Sequence, residues 1–202
     1  NYFFIQHDSH FAPSHVEISL QEAGFHTGAH YYSWEGFADK INRSALSFAD
    51  RFDIQSAHVS QADEIKSFAK YCEKSWIDTF FHFPGRFVAD PYMQKYGINL
   101  YSNWAYNSVL NESDQDEVLI CNVNGKMAGY VVLKYLDNKT VNLGILRIDP
   151  DYKGKMVGVA LQSASVAVPI SKGCKRIITR TAKFNVDNNK LLDNLGLKII
   201  NS

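Results

Sequence analysis

Cysteine is scarce in this 202-residue chain: Cys72, Cys121 and Cys174 stand alone, with no CxxC pair among them. That spacing excludes a disulfide scaffold. An odd, sparse count fits reduced thiols and a cytoplasmic setting. Charge of one sign is also lacking, since 21 Lys and Arg balance 21 Asp and Glu. No apolar run approaches the roughly 20 residues that a membrane-spanning helix needs, and the start shows no signal-peptide pattern. Five of the seven histidines (His7, His10, His15, His26, His30) crowd the first thirty residues without an HExxH pattern, so no metal site is expected. The chain opens at Asn1 without an initiator Met, which reads as a trimmed end.

What is present is the composition of a soluble globular protein, 46% hydrophobic, of a size for one large domain or one domain with an appendage. Residues 1–53 differ in texture from the rest. They are aromatic and irregular, with alternation at Val16, Ile18 and Leu20 that predicts a strand over 15–21. They are expected to form a small N-terminal α/β subdomain. A second domain is expected over 54–202.

Ser60 with Asp63 resembles a capping box, and Ile65, Phe68, Ala69, Cys72 and Trp76 follow at helical spacing, so 61–76 is read as an amphipathic helix. Pro84-Gly85 and Asp90-Pro91 interrupt an aromatic stretch before a second helix, 99–110. Three strands then form a meander: 117–123, a type I′ turn at Asn124-Gly125, 126–136, a turn at Asp137-Asn138, and 140–148. A helix over 157–171, a strand over 175–181, a short helix over 188–194 stopped by Gly196, and a last strand over 198–201 complete the order. The fold class is α+β: a mixed sheet whose antiparallel half joins a parallel half at 140–148, flanked by helices.

The segment Asn142–Gly196 carries the chemistry. A strand, a short basic loop with Gly154 and Gly158, and a helix place free amide groups and the positive helix end at the strand tip, which makes an anion site. Residues 147–198 hold ten Lys and Arg against four Asp, so a local net charge of +6 sits on a neutral protein. This pattern suits a small polyphosphate better than a long nucleic acid.

The element order and these residues together resemble the GNAT acetyltransferases, the acetyl-CoA-dependent N-acetyltransferase superfamily. The family's phosphate loop, Gln/Arg-x-x-Gly-x-Gly/Ala, is matched by Lys153-Gly154-Lys155-Met156-Val157-Gly158, with Met156 where a Gly is expected. Asn185 matches an Asn that precedes the family's last helix. Leu192 stands seven residues on, where a Tyr is common. The resemblance spans about residues 55–202. Within it, Arg86-Phe87, Asp90-Pro91 and Tyr101-x-x-Trp104-x-x-Asn107 are similar to the substrate half of TDP-fucosamine acetyltransferases, which acetylate a 4-amino-4,6-dideoxy sugar on a thymidine diphosphate carrier for bacterial surface polysaccharide.

The resemblance implies acetyl-CoA as cosubstrate and no metal. It implies a cofactor site at Leu146, Arg147, Ile148, Lys153, Gly154, Lys155, Met156, Val157, Gly158, Val159 and Asn185, with the Leu146 backbone N–H at the thioester carbonyl. An acceptor site is implied at Arg86, Phe87, Tyr101, Trp104 and Asn107, where aromatics stack and Arg86 holds a phosphate. No general acid is assigned. Helical spacing would aim the usual Tyr position at the thioester sulfur, and Leu192 there offers only apolar packing and no proton. Other readings stay open: another amine acceptor such as a peptide or polyamine, or, through the departures at Leu192 and Met156, a non-catalytic relative that binds CoA or a nucleotide. Partners are expected to be small amines, with no nucleic acid and no membrane span, and a homodimer is left open.

Overall fold

In the computed structural model, residues 31–79, 94–111 and 115–201 are described, and before them Ser19, Glu22 and Ala23. Among the described residues, strands β1 (Tyr31–Phe37), β2 (Asp53–Ser56), β3 (Asp116–Val123), β4 (Lys126–Tyr135), β5 (Thr140–Ile148), β6 (Arg176–Ala182) and β7 (Lys198–Asn201) are joined by five α-helices. These are α1 (Arg43–Leu46), α2 (Ala62–Thr79), α3 (Gln94–Leu110), α4 (Val157–Ser171) and α5 (Val186–Asn194). The mixed sheet flanked by helices is the expected fold class. Of the strand expected at 15–21 only Ser19 is described, and it opens a helical turn closed by the Ala23 N–H on its carbonyl.

All seven strands lie in one sheet of order β2-β3-β4-β5-β6-β1-β7. The meander β3–β4–β5 is antiparallel, turning at Asn124 and Gly125, whose positive φ values of 53° and 73° are those of a type I′ turn. The β5–β6 pairing is parallel. The sheet then departs from the expected parallel half, because β7 does not lie next to β6. Strand β1 is inserted between them, antiparallel to both. The segment grouped with residues 1–53 by composition thus supplies an interior strand to the sheet built by the rest of the chain.

Each face of the sheet carries its own core. On one face α4 and α5 cover Trp34, Leu119, Cys121, Val131, Leu133 and Ile177, together with Leu161, Leu192 and Leu195. On the other, α2 and α3 cover Val118, Ile120, Tyr130, Val132 and Ile145 with Ile65, Ala69, Tyr101 and Ala105. The odd and even residues of β3 divide cleanly between the two, as the period-two geometry of a strand buried on both sides requires. Helix α2 is preceded by a 3₁₀ turn whose cap is His58, not Ser60: His58 Nδ1 accepts from the Ser60 N–H, and Gln61 Oε1 accepts from the His58 N–H at 2.9 Å. No described helix is long and apolar enough to cross a membrane.

Candidate functional site

The site is built on a defect in β5. Leu133 pairs with Leu143, but Val131 pairs with Leu146, so Gly144 and Ile145 together oppose Val132 in a bulge. A Cβ at position 144 would stand 3.0 Å from the Val132 carbonyl oxygen, so the close approach favours glycine there. The extra residue shifts the alternation. Val141 and Leu143 face the α4 side before it, and Leu146 and Ile148 face that side after it. Ile145 and Arg147 are thereby turned toward α2 and α3.

The same strand loses its neighbour at this point. Parallel pairing with β6 runs from Thr140 only to Leu143, while β6 continues to Ala182 in partnership with β1. A wedge opens between residues 144–148 of β5 and the end of β6. The Asp149 N–H donates to the Ala128 carbonyl of the strand before, so by antiparallel alternation the peptide groups of Leu146 and Ile148 face the open side. An unpaired strand edge of this kind can accept an amide-bearing chain by β-addition.

At the tip of β5 the chain makes a 3₁₀ turn, Pro150–Tyr152, started by Asp149, whose carboxylate accepts from the Asp151 N–H at 2.9 Å. Two left-handed residues follow, Gly154 at φ 75° and Met156 at φ 65°. Met156 is the N-cap residue of α4 and gives no side-chain cap. The first turn, Val157–Val159, therefore presents amides that no capping side chain takes, at the positive end of a fifteen-residue helix. A Cβ at Gly158 would come within 2.6 Å of Ile148 Cδ1, so glycine lets α4 begin hard against β5. Lys155 lies over the Tyr152 ring at 5.1 Å.

The broad cationic field read from the sequence is partly spent elsewhere. Arg147 pairs with Glu73, Lys172 with Glu117, Arg176 with Glu35 and Lys198 with Asp193. The case for an anion at this loop therefore rests on amides and helix polarity more than on net charge.

On the α2–α3 side of the bulge, Glu73 of α2 is 3% exposed and accepts from Arg147 Nε. Arg147 Nη1 donates to the Leu146 carbonyl at 2.9 Å, and the guanidinium lies 5.2 Å from the Tyr101 ring centroid. Burial works against the Arg147 charge, but Glu73 together with Tyr130 and Tyr101 more than offsets it, so the guanidinium pKa lies above its ordinary value. The neighbouring Cys72 thiol donates to the Ile148 carbonyl at 3.6 Å. Burial pushes its pKa up to about 12, so it is a thiol at neutral pH and no nucleophile. Sequence reasoning missed Glu73. Its signal was legible all the same: a carboxylate four residues after Ala69, in the stripe Ile65–Ala69–Cys72 that faces the core.

Of the expected acceptor residues, Tyr101 and Trp104 meet β5. Tyr101 is nearly buried under Arg147, and Trp104 Cζ2 lies 3.6 Å from the Cβ position of Gly144. Asn107 is exposed on α3. Arg86 and Phe87 lie outside the described residues. Asn185 is the N-cap of α5, its Oδ1 accepting from the Asn188 N–H at 3.3 Å. Leu192 is fully buried in the core with Leu195 and Leu197. This corrects the expectation that helical spacing aims it at a thioester, because α5 packs that face onto the sheet.

A separate polar hollow lies at the opposite end of β5, lined by Ser56, Ser108, Asp116, Glu117, Tyr135 and Lys172 among others. The Glu117 carboxylate there already accepts from Ser56, Tyr135 and Lys172. Among the described residues no group of His, Cys, Asp and Glu could hold a metal ion.

Comparison with solved structures finds the same fold in other proteins. The paiA N-acetyltransferase from Thermoplasma acidophilum, solved in complex with coenzyme A, superposes with a TM-score of 0.55 at 15% identity, covering 71% of this chain and 87% of that one. A functionally unknown conserved protein from Staphylococcus epidermidis gives 0.59 at 16% identity, over 96% of this chain and 66% of that one. Ribosomal-protein-alanine N-acetyltransferase from Brucella melitensis gives 0.50 at 15% identity, over 74% and 94%. At these identities the likeness is one of fold. No curated protein sequence gives a significant match. The sequence profile of the Acetyltransferase (GNAT) family, however, matches residues 74–197, more than half of the chain, including β5 and the loop before α4. The chain belongs to the GNAT acetyltransferase family.

Proposed function

We propose that this protein transfers the acetyl group of acetyl-CoA to the amine of a nucleotide-linked amino sugar, of the TDP-4-amino-4,6-dideoxyhexose type, for bacterial surface polysaccharide. The observation that carries the acetyl-CoA part is the open edge of β5 beside the uncapped start of α4. The pyrophosphate lies against the amides of Val157, Gly158 and Val159, with Lys153, Gly154, Lys155 and Met156 forming the loop around it. The pantetheine arm runs along residues 146–148, and Asn185 stands at the far wall of the wedge. The Leu146 N–H faces the thioester carbonyl, where an amide donor is worth most as oxyanion charge develops.

The acceptor part is supported by the half-buried Trp104 beside the bulge, which can offer its ring to a nucleotide or sugar, with Tyr101 packed under Arg147 behind it. Arg86, Phe87 and Asn107 belong to the same acceptor site in this reading. The protein works in the cytoplasm, where nucleotide sugars and acetyl-CoA meet. No side-chain acid is assigned, since Leu192 cannot donate a proton.

A peptide amine is the second reading, favoured by the fold likeness to a ribosomal-protein-alanine N-acetyltransferase. A CoA-binding relative without turnover is the third, favoured by the burial of Leu192. Thiol release from acetyl-CoA, measured with a panel of TDP-amino sugars, peptides and polyamines, separates them. The proposal expects release with a TDP-amino sugar. Release only with a peptide or polyamine moves the acceptor, and CoA binding without release for any amine leaves the third reading.

A further inference from the structure

We propose that Glu73 and Arg147 are a positioning pair that fixes the peptide of Leu146 on the open edge of β5. The proposal rests on the reading of that edge as the acetyl-CoA arm site and names residues that hold it in shape.

Four observations converge on it. The bulge at Gly144 and Ile145 is what turns Arg147 toward α2; in an unbroken strand position 147 would point into the opposite core. Arg147 then uses two different donors at once, Nε to Glu73 and Nη1 to the carbonyl of the residue before it. That carbonyl has no strand partner on its side, because β6 has diverged after Leu143. Finally, Glu73 is a carboxylate set within an apolar helix stripe, its side chain 4% exposed, and its contact with Arg147 spans 74 positions of sequence. A pair serving only to join helix and sheet has no need of the second donor. The fork does more: with Nε held by Glu73, the guanidinium plane has one orientation, and in that orientation it locks the Leu146 carbonyl. In an extended residue the N–H and C=O leave the backbone on the same side. Fixing the carbonyl of Leu146 therefore also fixes the direction of its N–H along the open edge.

The test compares two ligands that share one end. Acetyl-CoA reaches the open edge with its pantetheine arm and thioester. Adenosine bisphosphate, the nucleotide end alone, does not. Affinity for both is measured by calorimetry, with the melting temperature, in the wild type, Arg147→Lys and Glu73→Gln. Lysine keeps the positive charge beside Glu73 but replaces the planar two-donor fork with one freely rotating ammonium, which does not fix the Leu146 carbonyl in a single orientation. Arg147→Lys is expected to weaken acetyl-CoA on the order of tenfold, the worth of one charge-assisted hydrogen bond, with adenosine bisphosphate affinity and melting temperature held. Glu73→Gln keeps an acceptor of the same length for Nε and is expected to retain most of the wild-type affinity. Unchanged acetyl-CoA affinity in Arg147→Lys, equal losses toward both ligands, or a wild type that gains nothing from the acetylated arm overturns the pair's role. A wild type that binds neither ligand overturns the acetyl-CoA reading itself, and the inference with it.

Discussion

The indole N–H of Trp34 donates to Oδ1 of Asn189 at 3.2 Å, tying the first described strand to the last helix across 155 positions of sequence. Asn189 in turn donates to the carbonyls of Ala182 and Lys183, where β6 ends and the turn to α5 begins. Trp34 is 4% exposed and belongs to the same core as Leu161 and Leu192. One hydrogen-bonded group thus anchors β1, β6 and α5 at the back wall of the split-strand site.

That anchoring makes the N-terminal strand part of the stability of the acetyltransferase sheet. Trp34→Phe, which keeps most of the ring but loses the donor, is expected to cost about 1 kcal/mol. Trp34→Ala, which also opens a cavity in the core, is expected to cost about 3–5 kcal/mol. Urea unfolding of the three proteins checks both. If Phe and Trp unfold at the same midpoint, the indole–amide bond contributes nothing. If Ala costs no more than Phe, β1 is not packed as described.

At Met156 a local backbone rule is broken. An L-residue with a bulky side chain sits at φ 65°, 44% exposed, where the family pattern has glycine. The exposed side chain gains little packing in return. Met156→Gly should therefore raise stability by about 1 kcal/mol, the usual penalty for a left-handed non-glycine residue. Met156→Ala, which keeps the Cβ, should not. Thermal melts of the two variants separate backbone strain from side-chain loss, and an equal response in both would show that the left-handed turn is not the source.

These residues also mark what the sequence could show. The meander and α4 were legible because their signals are local: Asn124-Gly125 turns the chain, Glu117–Val123 alternates, and Val157–Ser171 follows a strand and a short Gly-containing loop. The mixed class of the sheet followed from that order. The place of β1 was not legible. Tyr31–Phe37 carries aromatics on both faces, and its partners lie more than a hundred residues away, so no local pattern announces its register. The phosphate loop was recognised by motif, but the conformation of Met156 needed coordinates, since a first helical turn and a left-handed cap share one sequence. Asn185 was found as a motif residue, and the structure shows it capping α5. Leu192 was placed by counting seven residues along, which gives a distance but not a face.

The burial of Leu192 reverses what its position alone suggests. A tyrosine there would supply an acid if the side chain reached the wedge. Instead it is fully buried among Leu195, Leu197 and the sheet. Leu192→Tyr should add volume to a filled core, cost about 1–3 kcal/mol, and leave turnover no faster. Leu192→Ala should cost about 2–5 kcal/mol through the cavity it leaves. Denaturant unfolding together with steady-state thiol release gives both quantities. A Tyr variant that is as stable as wild type and faster would show that the side chain swings into the wedge.

Glu117, at the far end of β5, predicts how the protein responds to acid. Its carboxylate accepts from Lys172 at 2.7 Å, Tyr135 at 2.6 Å and Ser56 at 2.5 Å. Burial pushes its pKa upward, but the hydrogen bonds from Lys172, Ser56 and Tyr135 outweigh this and hold it below the ordinary 4.5. A carboxyl whose pKa is lower folded than unfolded binds fewer protons in the native state. It therefore contributes stability that is fully present above the unfolded value and is lost as pH falls through the folded one. Wild-type stability should decline on acidification from about pH 5 downward, and Glu117→Gln should remove part of that decline. At neutral pH the Gln variant should be the less stable of the two, since Lys172 and Tyr135 lose a charged acceptor. The gap should close as the pH drops. Melting temperatures of both proteins from about pH 7 to about pH 3 test this, and parallel curves over that range would show that another carboxylate governs the acid limb.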